Sequence, residues 1–280
     1  MLFKIVCLLM RWLFSLAVRV VRGDQAKIAE LPREGRGQPT WLRADGAGPA
    51  RLGLKRTLKR HRHPAGGDDM RFTKLGQSCV RLEKDGLTLV IDPGIWSGPA
   101  ALVGAQAVLV THEHPDHLDS TALRAAFGTN PDLELWANPS VAGQFAGARV
   151  HEVSGGDAVT AAGFDVHVYG HDHAQILPDI PIVTNTGFAV DGLIFHPGDS
   201  FTIPEETVTK LLLPVSAPWL KFADAAAYAR EVDAPGGGYA IHDAILSEQG
   251  VGLISSLLKI IARPGQEPFT RLEPGTTVDL

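Results

Sequence analysis

Four side chains that can bind a metal ion lie close together in the run His112-Glu113-His114-Pro115-Asp116-His117. Three imidazoles and one carboxylate form a donor set that suits zinc or a similar divalent ion. Alternate residues of an extended segment point the same way, so His112 and His114 can share one ion. The chain turns at Pro115, so Asp116 and His117 can face a second ion. The run therefore predicts the first half of a two-metal site.

Further donors follow the ends of later apolar segments. Any one of these side chains, taken alone, is more often a packing or surface residue than a metal ligand. Their order along the chain is nevertheless what a site built along one edge of a sheet requires. They are His171 and His173 in Gly170-His171-Asp172-His173, His196 and Asp199 in His196-Pro197-Gly198-Asp199, and His242 after Tyr239-Ala240-Ile241.

The elements that must position these donors can be predicted from Met70 onward, where short apolar runs alternate with turn signals and helical patterns. Strands in hairpins mixed with crossover helices indicate two sheets with helices outside them. We predict strands at 72–75, 79–83, 87–91, 107–111, 133–137, 149–153, 186–190, 193–196, 211–215 and 239–242, and a hairpin over 158–169. We predict helices from Asp119 or Ser120 to Phe127 and over 139–146, 222–231 and 251–262.

The segment before Met70 has a different composition. Residues 1–21 are apolar but interrupted by Lys4, Arg11 and Arg19, which disfavours both a membrane span and a secretory signal. An amphipathic helix that contacts a membrane surface or docks on the protein fits better. Residues 23–69 are rich in Gly, Pro and Arg and include a basic run over 55–63. We therefore predict an N-terminal extension over 1–69, with a solvated basic linker or a contact for an anionic partner, and one folded domain over 70–280 that holds all the candidate ligands.

The composition of the 280 residues is that of an ordinary globular protein, with 45% hydrophobic residues. A net charge of -5 gives no whole-chain attraction to nucleic acid or anionic membranes. Two cysteines exclude a disulfide framework and favour a reducing, cytoplasmic location. The glycines of Gly236-Gly237-Gly238 are not followed by the Lys-Ser/Thr of a phosphate-binding loop.

The ligand order His-x-His-x-Asp-His, strand-end His, Asp, terminal His resembles that of the metallo-β-lactamase superfamily from about Met70 to the C-terminus. The run Phe195-His196-Pro197-Gly198-Asp199-Ser200 is most similar to the branch with ascorbate-6-phosphate lactonase-like and N-acyl-phosphatidylethanolamine phospholipase D-like proteins. This resemblance implies an α/β fold, a four-layer αββα sandwich with metals at one edge of the facing sheets.

The resemblance also implies a ligand set. His112, His114 and a histidine of the 171/173 pair would hold one metal ion. Asp116, His117 and His242 would hold the other, and Asp199 would bridge the two. Asp92, at the end of a strand, would support the metal-binding loop without contacting a metal, although such a residue before Pro93 can also be a simple turn residue.

The choice between His171 and His173 stays open. We favour His173 as the metal ligand because it sits beyond the strand in the loop, and we assign His171 to substrate contact or support. His196 is interpreted as a buried neighbour that supports Asp199.

The sequence thus predicts a metal-dependent hydrolase with two divalent ions, zinc first and manganese or iron as alternatives. A metal pair lowers the pKa of a bound water and supplies hydroxide as nucleophile, and Asp116 could accept or relay a proton. The expected substrate is a small ester, lactone or phosphodiester. A nuclease and a non-enzymatic metal-binding protein are the alternatives, and the acidic balance after Met70 disfavours nucleic acid. Trp96, Phe201 and Trp219 could line a pocket or belong to the core.

Overall fold

The computed structural model describes residues 70–280. The predictions for residues 1–69 lie outside this range. The described residues form two seven-stranded sheets. The first contains Arg71–Gly76 (β1), Cys79–Lys84 (β2), Leu87–Ile91 (β3), Ala107–Val110 (β4), Glu134–Ala137 (β5), Arg149–Glu152 (β6) and Thr277–Asp279 (β14). The second contains Ala158–Ala161 (β7), Phe164–Tyr169 (β8), Gly187–Val190 (β9), Ile194–His196 (β10), Lys210–Pro214 (β11), Gly238–Ile241 (β12) and Phe269–Thr270 (β13).

The strand order is β14-β1-β2-β3-β4-β5-β6 in one sheet and β13-β12-β11-β10-β9-β8-β7 in the other. β3 to β6 pair in parallel, as do β10 to β13, whereas the remaining neighbours are antiparallel. β4 is fully buried, as its unbroken apolar sequence requires of a strand covered on both faces. Parallel neighbours end at the same edge, which brings residues distant in sequence together there.

Within residues 70–280, four α-helices cover the outer faces: Ser120–Thr129 (α1), Pro139–Ala142 (α2), Phe222–Glu231 (α3) and Glu248–Leu258 (α4). A short 3-10 helix spans Pro99–Leu102. The side chains of Asp119, Asn138 and Ser247 cap α1, α2 and α4 by accepting hydrogen bonds from first-turn N–H groups. α2 ends at Ala142, four residues before the predicted end, with Gly143 as its C-terminal cap. α4 begins three residues before its predicted start because Ser247 supplies the cap.

Three apolar clusters separate the layers. Between the sheets, Phe72 and Leu109 of the first sheet meet Phe188 and Leu212 of the second. The outer clusters join each sheet to its helices, as with Leu123 of α1. Each fully buried Leu, Ile or Phe contributes roughly 1.5–3 kcal/mol. The predicted four-layer αββα sandwich is confirmed, and Met70 lies buried at the start of it.

Candidate metal centre

The strand-end run from His112 to His117 turns tightly beyond β4. The backbone N–H groups of His117 and Leu118 both donate to the carbonyl oxygen of His114, at 2.9 Å. A Cβ atom at Gly94 would lie 1.9 Å from the carbonyl oxygen of Asp116, so only glycine allows this close approach. The loop is thereby fixed against the chain that leaves β3.

Six residues of the described chain form two triads of potential ligands, and Asp199 joins them. One triad is His112, His114 and His173, the other is Asp116, His117 and His242, and a third, overlapping group is His112, His117 and Asp199. Within each group the ligand atoms lie within 4.8 Å of one another. The structure therefore brings together all seven residues that the sequence predicts as metal ligands.

The donor atoms of the second triad lie close to one another and to Asp199. Oδ1 of Asp199 lies 3.0 Å from Nε2 of His117 and 2.6 Å from Nε2 of His242, and the two Nε2 atoms lie 2.8 Å apart. Oδ2 of Asp116 is 3.7 Å from Nε2 of His117. Several electron-pair donors thus converge on one small volume, which is the arrangement that binds a cation.

In the first triad, Nε2 of His112 lies 3.1 Å from Nδ1 of His114. Nδ1 of His173 donates to the carbonyl oxygen of Ala174, which leaves its Nε2 facing Oδ2 of Asp199 at 3.2 Å. Nε2 of His173 and Oδ1 of Asp199 are buried and make no hydrogen bond of regular geometry within the described residues, although each lies close to another candidate ligand. Buried polar atoms that make no hydrogen bond are rare, so these two atoms fit metal coordination. The side chains present therefore suit two divalent ions.

In His117 and His112, the ring nitrogen that faces away from the centre is held by a hydrogen bond. Oδ2 of Asp92 accepts from Nδ1 of His117 at 2.6 Å and from Oγ1 of Thr111 at 2.8 Å. Oγ1 of Thr111 lies 3.0 Å from Nδ1 of His112 and accepts from it, because its own proton goes to Asp92. Nε2 of both histidines then faces the centre. A carboxylate behind a metal-binding histidine fixes the ring and raises its basicity.

Charge and burial set the protonation of the cluster in the absence of metal. Burial alone lowers the pKa of His117, but the carboxylates of Asp199 and Asp92 outweigh it and hold that pKa well above its usual range. Burial likewise opposes ionisation of Asp199, but His117 and His242 keep its pKa well below the usual value. Burial, assisted by His117, lowers the pKa of His112, and burial with His173 lowers that of His114. Neutral imidazole is the form that binds metal.

Asp92 and His196, the two side chains predicted to support the site, are both buried but contact different groups. Asp92 is fully buried and adopts a left-handed backbone with φ of 51°. His196 is also fully buried, and its Nε2–H donates to the carbonyl oxygen of Ser78 while its Nδ1 accepts from the N–H of Gly198. Both ring nitrogens of His196 are therefore occupied by backbone groups.

His171 lies apart from the ligand triads. Its side chain is 82% exposed, and Nδ1 pairs with Oδ1 of the adjacent Asp172 at 2.6 Å. His171 and His173 are two residues apart and would point the same way in an extended segment. Even so, only the ring of His173 belongs to a ligand group. The catalytic or substrate-contacting role of His171 stays a prediction.

The three aromatic residues considered for a pocket take different positions. Nε1 of Trp219 donates to Oδ2 of Asp199 at 2.9 Å, so this side chain contacts the candidate centre. Phe201 packs against Trp219 and Tyr228, at the edge of the core. Trp96 is 48% exposed in the loop after β3.

Several supporting residues carry no sequence signal of their own. Nε2 of Gln77 donates to Oδ2 of Asp116 at 3.0 Å and lies 3.0 Å from Nδ1 of His242. Oδ1 of Asn185 accepts from the backbone N–H of Asp199 at 3.0 Å. Gln77 and Asn185 are of common types, and only the fold brings them to the site.

A buried charged group also anchors His242. Nζ of Lys74 and Nε of Arg271 each lie 2.6 Å from Oδ2 of Asp243, the residue that follows His242. Burial lowers the pKa of Lys74, although the carboxylate of Asp243 opposes this shift. His242 itself has a φ of 60°, so its backbone is strained at the site. The ion pairs hold this strained segment in place.

Comparisons with known proteins identify the family of this chain. The profile of a family described as a beta-lactamase superfamily domain matches residues 71–235. The Mycobacterium tuberculosis protein Rv0786c is 37% identical over 190 residues, which cover 66% of this chain and 89% of that protein. A UPF0173 metal-dependent hydrolase from Azorhizobium caulinodans is 32% identical over 118 residues, which cover 38% of this chain and half of that hydrolase.

Solved structures show the same fold. Igni18, a metallo hydrolase from the archaeon Ignicoccus hospitalis, superposes with a TM-score of 0.57 at 20% identity, covering 76% of this chain and 98% of that chain. The metallo-beta-lactamase fold protein YhfI from Bacillus subtilis gives a TM-score of 0.57 at 17% identity, covering 76% of this chain and all of that chain. The narrower resemblance to lactonase-like and phospholipase D-like proteins stays a prediction. The family profile, the sandwich and the ligand order together show that this chain belongs to the β-lactamase superfamily.

Proposed function

We propose that this chain is a metal-dependent hydrolase that cleaves a small ester, lactone or phosphodiester. The observation that carries the proposal is the pair of ligand triads joined by Asp199 at one edge of the two sheets. The metal-dependent hydrolases among its relatives support the same reaction class.

We propose two divalent ions in these triads, with zinc first because five of the seven donors are histidines. Such ions lower the pKa of water and polarise the bond under attack. His112, His114 and His173 would hold one ion, and Asp116, His117 and His242 the other. Asp199 would contribute one negative charge between the two ions.

Side chains of this protein would hold the metal ligands in position and transfer protons. Oδ2 of Asp116 accepts from Gln77, and the side chain is 23% exposed, so one face is open to substrate. We assign Asp116 to proton transfer as well as to metal binding, since a carboxylate in reach of the reacting atoms can act as a general base. Trp219 donates to Oδ2 of Asp199, which stabilises the negative charge on that oxygen.

The substrate classes can be separated with the metal-loaded full chain. We expect turnover of at least one of three probes: a p-nitrophenyl ester, an aliphatic lactone or bis-p-nitrophenyl phosphate. His114→Ala should abolish that turnover because it removes a ligand, whereas His167→Ala should not, because His167 pairs with Glu206 outside the triads. Turnover of RNA or DNA alone would favour a nuclease, and no turnover by a fully metal-loaded chain would favour a non-enzymatic role.

Location and partners are proposals as well. Among the described residues, no helix is both long enough and apolar enough to cross a bilayer. We propose a small molecule as the partner and the cytoplasm as the location. Membrane contact through residues 1–21 falls outside the described residues and stays a prediction.

A further inference from the structure

A nine-residue loop, 174–182, extends from the candidate metal centre. It has the sequence Ala-Gln-Ile-Leu-Pro-Asp-Ile-Pro-Ile. The segments on either side pair with each other: the N–H of His173 donates to Val183, and the N–H of Asn185 donates to His171. The N–H of Ala174 donates to the carbonyl oxygen of Asp199 at 2.8 Å. The loop is therefore fixed at its base to two candidate metal ligands.

The 174–182 loop exposes large apolar side chains to solvent. Leu177, Ile180 and Ile182 are 57%, 41% and 51% exposed. Ile180 and Ile182, with Ile176, border a small cleft of about 10 Å³ whose lining also includes His114 and His173. Apolar surface thus continues directly to the candidate metal ligands. Exposed apolar side chains beside a cleft mark binding sites more often than ordinary protein surface.

Two other loops attached to the site also expose apolar side chains. The N–H of Ile95 donates to the carbonyl oxygen of Pro115, inside the metal-binding run. Ile245 follows Ala244, whose N–H donates to Gln77, the partner of Asp116. Ile95, its neighbour Trp96 and Ile245 are each about half exposed. Six of the ten strongly exposed large apolar side chains among the described residues therefore come from loops tied to the site.

The charge of the 174–182 loop indicates what it can bind. Asp179 is its one ionisable side chain, and the sequence has no Lys or Arg between Arg149 and Lys210. An anionic lipid surface or a nucleic acid requires cations at the contact. An uncharged hydrocarbon group requires none. Beside this loop, positive charge for an anionic reacting group would come from the metal ions of the proposed function.

We propose that the 174–182 loop, with Ile95, Trp96 and Ile245, binds the hydrocarbon part of the substrate next to the bond that is cleaved. This inference rests on the proposed function and narrows it to esters, lactones or phosphodiesters that carry an aliphatic chain. A chain of several methylenes would pass from the ligands along Ile180 and Ile182. Burial of apolar surface would then supply much of the selectivity.

Binding of alkylphosphonates with two to eight carbons to the metal-loaded full chain, measured by calorimetry, tests the inference. The Kd should fall about two- to fourfold per added methylene until the alkyl chain covers the exposed apolar side chains of the loop. A double variant, Ile180→Ser with Ile182→Ser, should remove most of this dependence while metal content stays unchanged. These side chains are exposed, so the variant should fold. The matched control, Leu253→Ser with Ile260→Ser, changes two exposed apolar side chains on and just after α4 and should keep the dependence.

Three outcomes would overturn the inference. One is phosphonate binding that does not depend on chain length, which leaves the proposed metal centre intact. Another is no phosphonate binding at any length, and metal analysis of the same sample then shows whether the proposed function falls too. The third is co-sedimentation with phosphatidylcholine vesicles that requires Ile180 and Ile182 without any chain-length dependence, which would assign the loop to a membrane surface.

Discussion

Nδ1 of His117 lies 2.6 Å from Oδ2 of Asp92, and both side chains are fully buried. Asp92 follows β3 and His117 lies in the loop after β4, so this contact joins the segments that leave two adjacent parallel strands. The same carboxylate accepts from the N–H and the hydroxyl of Thr111. The side chain of Asp92 thus sets the ring orientation of His117. It also sets the orientation of the Thr111 hydroxyl, which contacts His112.

Replacement of Asp92 by Asn tests this supporting role. The amide keeps the size of the side chain but loses the charge and one acceptor oxygen, so at least one of the three donors facing it loses its acceptor. We expect metal affinity to fall about 10–100-fold, the usual range for such supporting contacts. Competition with a chromogenic chelator measures the change. Asp191→Asn is the control, since it removes a similar contact with Lys84 in the turn between β9 and β10. Unchanged metal affinity in Asp92→Asn would contradict the role.

A comparison of His173→Ala with His171→Ala tests which histidine joins His112 and His114 as a metal ligand. We expect His173→Ala to lose about one metal ion per chain, because its Nε2 is a candidate ligand atom in a two-ion site. His171→Ala should keep both ions and change only the kinetic constants, since its ring is exposed. Metal analysis and rates must be measured on the same samples. Loss of metal from His171→Ala, with retention in His173→Ala, would reverse the assignment.

His196→Ala should reduce stability more than metal content. The substitution leaves the carbonyl of Ser78 and the N–H of Gly198 without their buried partner. We expect the free energy of unfolding of the metal-free protein to fall by roughly 2–4 kcal/mol, from the unmade hydrogen bonds and the cavity. Urea unfolding in the presence of a chelator measures this. His167→Ala, at an exposed ring, should have little effect. Loss of metal from His196→Ala with unchanged unfolding would instead make His196 a ligand.

A chain that begins at Met70 should fold and keep whatever activity the full chain shows. Met70 is buried, and its carbonyl oxygen accepts from the N–H of Leu280 at 2.8 Å. All contacts of the candidate centre described above lie within 70–280. A chain that begins at Cys79 is the control, because it lacks β1 with Phe72 and Lys74 and should not fold. An insoluble or inactive chain from Met70 would assign residues before it to the core or the site. Vesicle co-sedimentation of the full and shortened chains separately tests membrane contact through residues 1–21.

The candidate metal ligands can be predicted from the sequence, whereas most of the residues that hold them in position cannot. His112 to His117 are neighbours in sequence and carry a distinctive chemistry, so their clustering can be read without a fold. Gln77 and Asn185 are common polar residues, and nothing local distinguishes them from surface positions. Their roles depend on which strand ends meet at one edge. The pairing of Asp243 with Lys74 and Arg271 likewise joins distant parts of the chain.

The fold shows the same contrast. The fully buried strands are predicted because β-branched and other apolar residues run unbroken, as in β4. β13 and β14 are missed, since two and three residues carry no alternation and their pairing depends on β12 and β1. The start of α4 is missed because the cap of Ser247 reaches Gly250, a weak helix former. Local patterns thus predict elements, and tertiary pairing decides their ends.

Metal stoichiometry of the purified full chain tests the central claim most directly. After reconstitution with zinc and removal of free metal, elemental analysis should find about two ions per chain, as two joined triads require. Asp199→Ala should bind fewer ions, because two cations would then lack the carboxylate between them, whereas Asp191→Asn should bind as many as the unchanged chain. No bound metal after reconstitution with zinc, manganese or ferrous iron would contradict the two-metal centre and the hydrolytic function built on it.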